Sequence, residues 1–252
     1  MADLPTGVVT FLFTDIEGST SVWEQYPQAM TVALARHDAI IRQAIVAHDG
    51  VVFRTGGDAF CVAFASALAA LNAALVAQRG LHTERWHPIE SLRVRMALHT
   101  SAVELRDGDY LGPPLNRVAR LLAVGYGGQT LLSRATQQLV AQQLPPTAAL
   151  KELGEHQLKD LIEPEYIFQL VAPDLPADFP PLKTLTRPDD RLIATAPQRS
   201  SDEPESREHA WRQAKLPGMP QIDYDSVRER ERERERQRRA RKRKPKNVGD
   251  MF

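Results

Sequence analysis

The segment GVVTFLFTDIEGST, residues 7–20, joins a buried strand to the start of a helix. Its first half is rich in β-branched and aromatic residues and ends in polar ones, which is typical of a buried β-strand. Asp15 ends that strand, so its carboxylate can project into a cleft and bind a hard cation through oxygen. Gly18, Ser19 and Thr20 stand where the next helix begins, and free backbone N–H groups there favour bound phosphate. Taken alone, the same pattern is more typical of an ordinary helix cap.

Short strands and helices alternate over the first two thirds of the chain. The predicted elements are, in order, a helix over residues 21–47, strands VVFR and AFCVAFA joined by a hairpin turn, an alanine-rich helix from Ser66 to about Leu81, the strand LRVRMALHT, a helix over residues 116–124 between Pro113-Pro114 and Gly127-Gly128, and the strands QTLLS and YIFQLV. This order predicts an α+β fold in which helices pack on an antiparallel sheet.

The predicted hairpin carries Asp58 directly after the paired glycines Gly56 and Gly57. A plain aspartate turn is the simplest interpretation of this residue by itself. The interpretation changes if Asp15 ends an adjacent strand. Two carboxylates at that distance can hold a pair of Mg²⁺ or Mn²⁺ ions, which lie about 3.5–4 Å apart in two-metal sites.

The stretch DYLGPPLNRVAR, residues 109–120, adds Asp109, Asn116 and Arg120. Asn116 and Arg120 are four residues apart on the predicted helix and therefore share one face. An amide and a guanidinium on one face can hold a sugar oxygen and a phosphate. For each residue taken singly, a solvated or capping position is the simpler alternative.

Together, FTDIEGST, RTGGDAF, RVRMALHT and DGDYLGPPLNRVAR resemble the motifs of class III adenylyl and guanylyl cyclase catalytic domains in order and approximate spacing. The resemblance implies a domain over residues 1–172 with a ferredoxin-like, antiparallel or mixed sheet flanked by helices. It also implies an intracellular signalling enzyme that converts ATP to 3′,5′-cyclic AMP and pyrophosphate. In this family the sites are shared across a homodimer, and each takes two Mg²⁺ or Mn²⁺ ions.

The resemblance further implies a role for each matching residue. Asp15 and Asp58 match the metal-binding aspartates, and Ile16 lends a backbone carbonyl. The residues expected on the nucleotide are Arg54 and Asp109 at the purine, Asn116 at the ribose, Arg120 at the transferring phosphoryl group, Lys159 at the terminal phosphates, and the Gly18, Ser19 and Thr20 segment at phosphate.

Two positions depart from the family pattern. Arg54 stands where adenylyl cyclases usually have Lys, and Arg is longer, planar and always charged, so the exchange is not conservative. Arg54 can still donate to the purine N1 while Asp109 accepts from the adenine amino group, which favours ATP and leaves GTP as the alternative. Ser101 replaces a glycine that commonly follows HT, which is expected to perturb the end of that strand.

Two other functions compete with the cyclase. RTGGDAF also resembles the GGDEF signature of diguanylate cyclases, but Ala59 stands where that signature has its metal-binding Glu, and residues 109–120 have no counterpart there. A non-catalytic ATP-binding regulatory module of the cyclase fold is the second alternative, because Arg54 alters the purine-selecting position.

Composition excludes several classes of protein. Cys61 is the only cysteine, which excludes a disulfide framework and a Cys-rich metal site, and its setting predicts a buried strand thiol. No apolar run approaches the roughly 20 residues of a membrane span. Residues 1–7 lack the basic and apolar regions of a secretion signal. These features predict a cytoplasmic protein without membrane contact.

Residues 173–252 differ in composition from the rest of the chain. They hold ten of the eighteen prolines, and residues 228–246 contain twelve Arg and Lys against four Glu, a local net charge of +8 in a chain of formal net charge 0. This composition predicts a Pro-rich linker followed by a charged, disordered tail. Contact of the basic tail with nucleic acid or an anionic surface is the alternative.

Overall fold

Within residues 3–184, which the computed structural model describes, the chain forms nine strands and five helices. The strands are β1 (Gly7–Ile16), β2 (Val51–Gly56), β3 (Ala59–Phe64), β4 (Val94–Val103), β5 (Leu105–Arg106), β6 (Asp109–Tyr110), β7 (Thr130–Ser133), β8 (Ala149–His156) and β9 (Glu165–Val171). The helices are α1 (Ser19–Gln25), α2 (Pro27–Val46), α3 (Ala67–Thr83), α4 (Pro113–Val124) and α5 (Arg134–Val140). The predicted charged tail and its possible nucleic-acid contact lie outside the described residues.

Seven strands form one sheet in the order β2-β3-β1-β4-β7-β9-β8. All neighbours in it are antiparallel except β4 and β7, which run parallel, so the sheet is mixed. The continuous apolar character of β1 follows from its central position, because both of its faces are covered. The predicted α+β class, with helices on a mixed sheet, is confirmed.

The sheet separates two layers of apolar packing. Successive side chains of a strand point to opposite faces, so Leu12 packs in the layer of α2 and α3 while Phe11 packs in the layer of α4. Phe11 meets Tyr110 edge to face, with ring centroids 5.0 Å apart. Burial of each large apolar side chain contributes about 1.5–3 kcal/mol.

Two predicted helices have different bounds from those expected. The stretch over residues 21–47 is two helices, because Tyr26, at φ −137°, leaves the helical conformation before Pro27, and a residue before proline disfavours that conformation. The helix predicted over residues 116–124 is α4, which begins earlier, at Pro113. It ends before Gly125, whose backbone is extended, and so before the glycine pair predicted to end it.

No helix within residues 3–184 has both the length and the apolar character to cross a bilayer.

Residues 173–184, hereafter the strap, continue from the sheet and pack against the domain. The Gln169 side chain donates to the Ala177 carbonyl at 2.8 Å, and the Lys183 N–H donates to the Val124 carbonyl at 3.0 Å. Arg79 binds both carboxylate oxygens of Asp174. The domain boundary predicted at residue 172 stays a prediction. The strap, which follows residue 172, contacts residues that precede it.

The packing of α4 on the sheet predicts a large cost for truncating its buried face. Leu121 is fully buried, so Leu121→Ala should lower the free energy of unfolding by about 3 kcal/mol in a urea titration. The matched control is Leu111→Ala, since Leu111 is 54% exposed and its loss should cost less than about 0.5 kcal/mol. Equal costs for the two substitutions would contradict this account of the α4 layer.

Candidate functional site

The two aspartates of interest come to one end of the sheet. A two-residue turn, Gly57 and Asp58, joins β2 to β3, and Gly57 adopts φ +62° in the left-handed region that glycine tolerates. The β1–β3 register sets Thr14 opposite Phe60. The Asp58 carboxylate consequently reaches the end of β1, where its Oδ2 accepts a hydrogen bond of 2.9 Å from the Ile16 N–H. The carboxylate thus lies beside the residue that follows Asp15.

Asp15 is paired with a cation that the motif analysis did not assign to the site. Arg95 lies directly opposite Asp15 in the β1–β4 register, and its guanidinium donates to Asp15 Oδ2. Burial raises the pKa of Asp15; the Arg95 guanidinium partly offsets this rise, and the charges of Asp58 and Glu17 add to it. The alternation of Arg and apolar residues in LRVRMALHT, which indicates a cleft-lining face, is the sequence signal for Arg95.

The chemistry of this end of the sheet fits a hard divalent cation. Asp15 and Asp58 are oxygen donors, and among residues 3–184 no group of three or more His, Cys, Asp and Glu forms a complete cage. Mg²⁺ is usually bound by one or two carboxylates together with waters and substrate phosphates. Two carboxylates alone therefore fit an ion that arrives with a triphosphate. The predicted ligation by the Ile16 carbonyl stays a prediction.

The predicted phosphate segment lies directly after these carboxylates. Gly18 adopts φ 71° and precedes α1, and no side chain caps the first turn of that helix. Ser19 and Thr20 are the first residues of α1. The first N–H groups of a helix have no partner within it, so the amides of this segment are donors that a bound anion can use.

The two residues predicted to select the purine, Arg54 and Asp109, form an ion pair. Arg54 Nη2 and Asp109 Oδ2 are 2.6 Å apart, and both side chains are about two-fifths exposed, at 40% and 42%. The hairpin of β5 and β6 presents Asp109, and its turn residues Asp107 and Gly108 both have positive φ. Cys61 lies opposite Arg54 in the β2–β3 register, and burial raises the pKa of its thiol to about 11. The predicted buried thiol is confirmed.

The remaining predicted residues gather around α4. Asn116 is exposed on this helix, one turn before Arg120. Arg120 Nη2 donates to Asp160 Oδ2 at 2.5 Å, and only 14% of the Arg120 side chain is exposed. Lys159 is exposed and adjacent to Asp160 in the loop after β8. Asn116, Arg120 and the Lys159 loop therefore lie together, and the roles predicted for them stay predictions.

Ser101, which stands where the family pattern commonly has glycine, lies in a regular part of β4. β4 pairs with β1 without a break through Val103, and Ser101 lies opposite Val9 in that register. The Ser101 hydroxyl donates to the neighbouring Ala102 carbonyl at 3.3 Å. The expected perturbation of the strand end is wrong, because a serine in extended backbone occupies this ladder position without displacing its partners.

Comparison with known proteins gives one family. The family model described as the adenylate and guanylate cyclase catalytic domain matches residues 2–169, which is 168 of the 252 residues of the chain. An uncharacterized protein of Mycobacterium tuberculosis is 44% identical over 182 residues, which cover 71% of this chain and 61% of that protein. The adenylate cyclase of Neurospora crassa is 29% identical, over 66% of this chain and 10% of that protein. The chain thus spans less than two thirds of the mycobacterial relative.

Solved structures agree with this assignment. An adenylate cyclase from Trypanosoma brucei, analysed in its monomeric state, superposes with a TM-score of 0.64 at 28% identity, covering 73% of this chain and 98% of that chain. The guanylate cyclase domain from Catenaria anguillulae in complex with GTP superposes with a TM-score of 0.57 at 19% identity, covering 66% and 97%. The second likeness concerns the fold alone. The predicted cyclase fold is confirmed.

The Asp15–Arg95 pair predicts the direction of a titration. Replacing Arg95 with Met removes the hydrogen bond and charge that lower the pKa of Asp15, while burial and the neighbouring carboxylates still raise it. The pKa of Asp15 should therefore move further up in a ¹³C NMR titration of labelled aspartate. Arg36→Met, which removes an exposed partner of Glu84, is the matched control and should leave Asp15 unchanged. An unaltered Asp15 titration in the Arg95 variant would contradict the pairing.

Proposed function

Because the chain belongs to the family of adenylate and guanylate cyclase catalytic domains, we propose that it converts ATP to 3′,5′-cyclic AMP and pyrophosphate. The observation that carries this proposal is the 2.9 Å hydrogen bond from the Ile16 N–H to Asp58. It brings a second carboxylate to the strand end that carries Asp15. Two such carboxylates are the donor set from which two-metal phosphoryl-transfer sites are built.

Asp15 and Asp58, with the Ile16 carbonyl, would hold two Mg²⁺ or Mn²⁺ ions per site. When bound, the ions would lower the pKa of the ribose 3′-hydroxyl and neutralise charge on the triphosphate. The role of the protein chain is to hold the two carboxylates in a fixed position relative to each other. The β1–β3 pairing supports that role. Arg95 supplies a further positive charge beside Asp15, which favours the ionised carboxylate.

The α4 cluster would act on the reacting groups. Asn116 orients the ribose so that its 3′-oxygen attacks the α-phosphorus and pyrophosphate leaves. Arg120 stabilises the negative charge that develops on the transferring phosphoryl group, and Lys159 contacts the terminal phosphates. Asp160 is the solvent-exposed member of its pair with Arg120, since 49% of its side chain is exposed against 14% for Arg120, so water can solvate Asp160 when it leaves. A phosphate oxygen can therefore take the place of Asp160.

The segment after Asp15 would add uncharged hydrogen-bond donors to the phosphates. The backbone N–H groups at Gly18, Ser19 and Thr20 would bind phosphate oxygens through the positive end of α1. The N-cap residue of α1 is Gly18, which has no side chain to cap the helix, and this supports the role.

Arg54 and Asp109 favour ATP as the substrate. Adenine presents an acceptor at N1 and a donor at its 6-amino group, which complement the guanidinium and the carboxylate respectively. Guanine presents donors at N1 and N2, which Arg54 cannot accept. Arg54 Nη2 and Asp109 Oδ2 lie 2.6 Å apart. An adenine that binds both side chains replaces this one charge-assisted hydrogen bond with two, one to each side chain.

We propose that the site is shared between two copies of the chain. This chain carries both the aspartates proposed to bind metal and the Asn116–Arg120 group. Within one copy, Arg95 pairs with Asp15 and Asp160 pairs with Arg120. A two-fold homodimer that joins one group from each copy contains two equivalent sites. The isolated monomer is then inactive.

A non-catalytic ATP-binding module of the same fold is the second candidate. Arg54 favours it, because Arg stands where adenylyl cyclases usually have Lys, and this exchange alters the purine-selecting position. Such a module would bind ATP and signal by dimerising, without chemistry.

Product analysis decides between the two candidates. Purified protein with ATP and Mn²⁺ should release cyclic AMP and pyrophosphate in equal amounts, with less product from GTP, as measured by chromatography. Asp58→Asn should abolish turnover because it removes a metal-binding charge, and Arg120→Ala should lower kcat by about 10²–10³. Tight ATP binding without product in either Mn²⁺ or Mg²⁺ would favour the module instead.

Mixing two inactive variants tests the shared site. Asp15→Ala lacks a metal ligand and Arg120→Ala lacks the phosphoryl-binding group, so each homodimer should be inactive. Half of the dimers in an equal mixture are mixed, and each holds one intact site of two, so activity should return to about a quarter of wild type. The control mixture, Asp15→Ala with Asp58→Asn, damages the same half and should stay inactive. Absence of rescue in the first mixture would contradict shared sites.

A further inference from the structure

The strap reaches the loop that follows Asp15. Lys183 Nζ lies 2.8 Å from Glu17 Oε1, across 166 residues of sequence. Glu17 is the second residue after Asp15 and the residue after Ile16. A charge at the end of the domain is therefore in direct contact with the segment that carries a metal-binding aspartate.

Glu17 is fixed through its backbone as well as its carboxylate. Its N–H donates to the Arg93 carbonyl at 2.9 Å, and its Oε2 accepts from the Gly127 N–H at 3.0 Å. A Cβ at Gly127 would lie 2.5 Å from the Arg93 Cβ and 3.0 Å from Glu17 Oε2, so only glycine fits this approach. Burial opposes ionisation of Glu17, but the bonds from Lys183 and Gly127 hold its pKa below the ordinary value.

Lys183 is held in place by its own surroundings. Its N–H donates to the Val124 carbonyl at 3.0 Å, and its ammonium lies 4.2 Å from the centre of the Tyr126 ring. The Tyr126 hydroxyl donates to the Pro181 carbonyl at 2.8 Å, and Phe179 stacks on the Tyr126 ring. Backbone, ring and charge therefore fix Lys183 against Glu17.

The charges around Asp15 form two neighbouring pairs. Asp15 pairs with Arg95 and Glu17 pairs with Lys183, while the Arg95 charge also acts on Glu17. Without Lys183, Glu17 would have Arg95 as its remaining nearby cation and would compete with Asp15 for it. Loss of Lys183 would thus disturb both the position of the loop and the partner of Asp15.

We propose that Lys183 is a positioning residue, which acts through Glu17 to hold the end of β1 that carries Asp15 in the arrangement that binds divalent cations. The strap is then part of the site, and residues 1–172 alone do not complete it. This inference rests on the proposed function for the role of Asp15, but its test includes a binding measurement that does not depend on turnover.

The experiment measures Mn²⁺ binding by the full chain. Free Mn²⁺ is followed by electron paramagnetic resonance in the presence of 3′-deoxy-ATP, which lacks the attacking hydroxyl, and the Mn²⁺ dependence of turnover is measured with ATP. Lys183→Met should weaken Mn²⁺ binding on the order of tenfold, as expected for loss of a partner that orients a metal ligand. Lys183→Arg, which keeps the charge, should bind Mn²⁺ nearly as wild type does.

Lys151→Met is the matched control. Lys151 also joins the strap to the sheet, through Asp178 at 3.5 Å, but both side chains are largely exposed. It should leave Mn²⁺ binding unchanged. A charge exchange, Glu17→Lys with Lys183→Glu, should recover part of the binding that each single change loses. If Lys183→Met does not fold, Glu17→Gln decides, since it removes the charge that Lys183 holds, and it should weaken Mn²⁺ binding similarly.

The outcomes separate this inference from the proposed function. Wild-type Mn²⁺ binding by Lys183→Met, or equal weakening in Lys151→Met, would overturn the positioning role while leaving cyclic AMP formation intact. If the wild-type chain makes no product, the proposed function fails, and the Mn²⁺ measurement still decides the role of Lys183. If the wild-type chain does not bind Mn²⁺, both fail.

Discussion

The hydrogen bond between the Ile16 N–H and the Asp58 carboxylate is the constraint on which the site depends. It joins the end of the central strand to the tip of the β2–β3 hairpin, and so sets the relation between two acidic side chains. The relation is stiff because β1 is hydrogen-bonded on both sides, to β3 and to β4. The apolar residues of β1 serve this geometry, since burial on both faces keeps the strand from shifting register.

Four charged pairs exist at the site before any ligand binds. Asp15 pairs with Arg95, and Arg54 pairs with Asp109. The cation on α4 pairs with Asp160, and the cation on the strap pairs with Glu17. The side chains of these pairs are 14–49% exposed, so water can solvate a partner that is displaced. Ligand groups can therefore replace the internal partners, and the side chains are already oriented when they do.

Much of this arrangement could be predicted from sequence, because strand patterns and turn residues are local. The buried strand before Asp15, the glycine turn before Asp58 and the α4 spacing all have local signals. Other parts depend on pairing between distant segments: Arg95 joins the site only because β4 pairs with β1, and β8 is a half-exposed edge strand without clear alternation. The Asp107-Gly108 turn carries a typical hairpin signal, but the two strands that it joins are only two residues long and have no periodicity of their own. The strap, which is Pro-rich, lacks any periodic pattern that would indicate its docking.

The most direct test of the central claim is the location of bound metal. Crystals of the full chain grown with Mn²⁺ and 3′-deoxy-ATP should show anomalous scattering peaks at the manganese positions. The account predicts two peaks per site, about 3.5–4 Å apart, both within bonding distance of Asp15 and Asp58 carboxylate oxygens. Peaks at other positions, or a nucleotide bound with no peak beside these two aspartates, would contradict it.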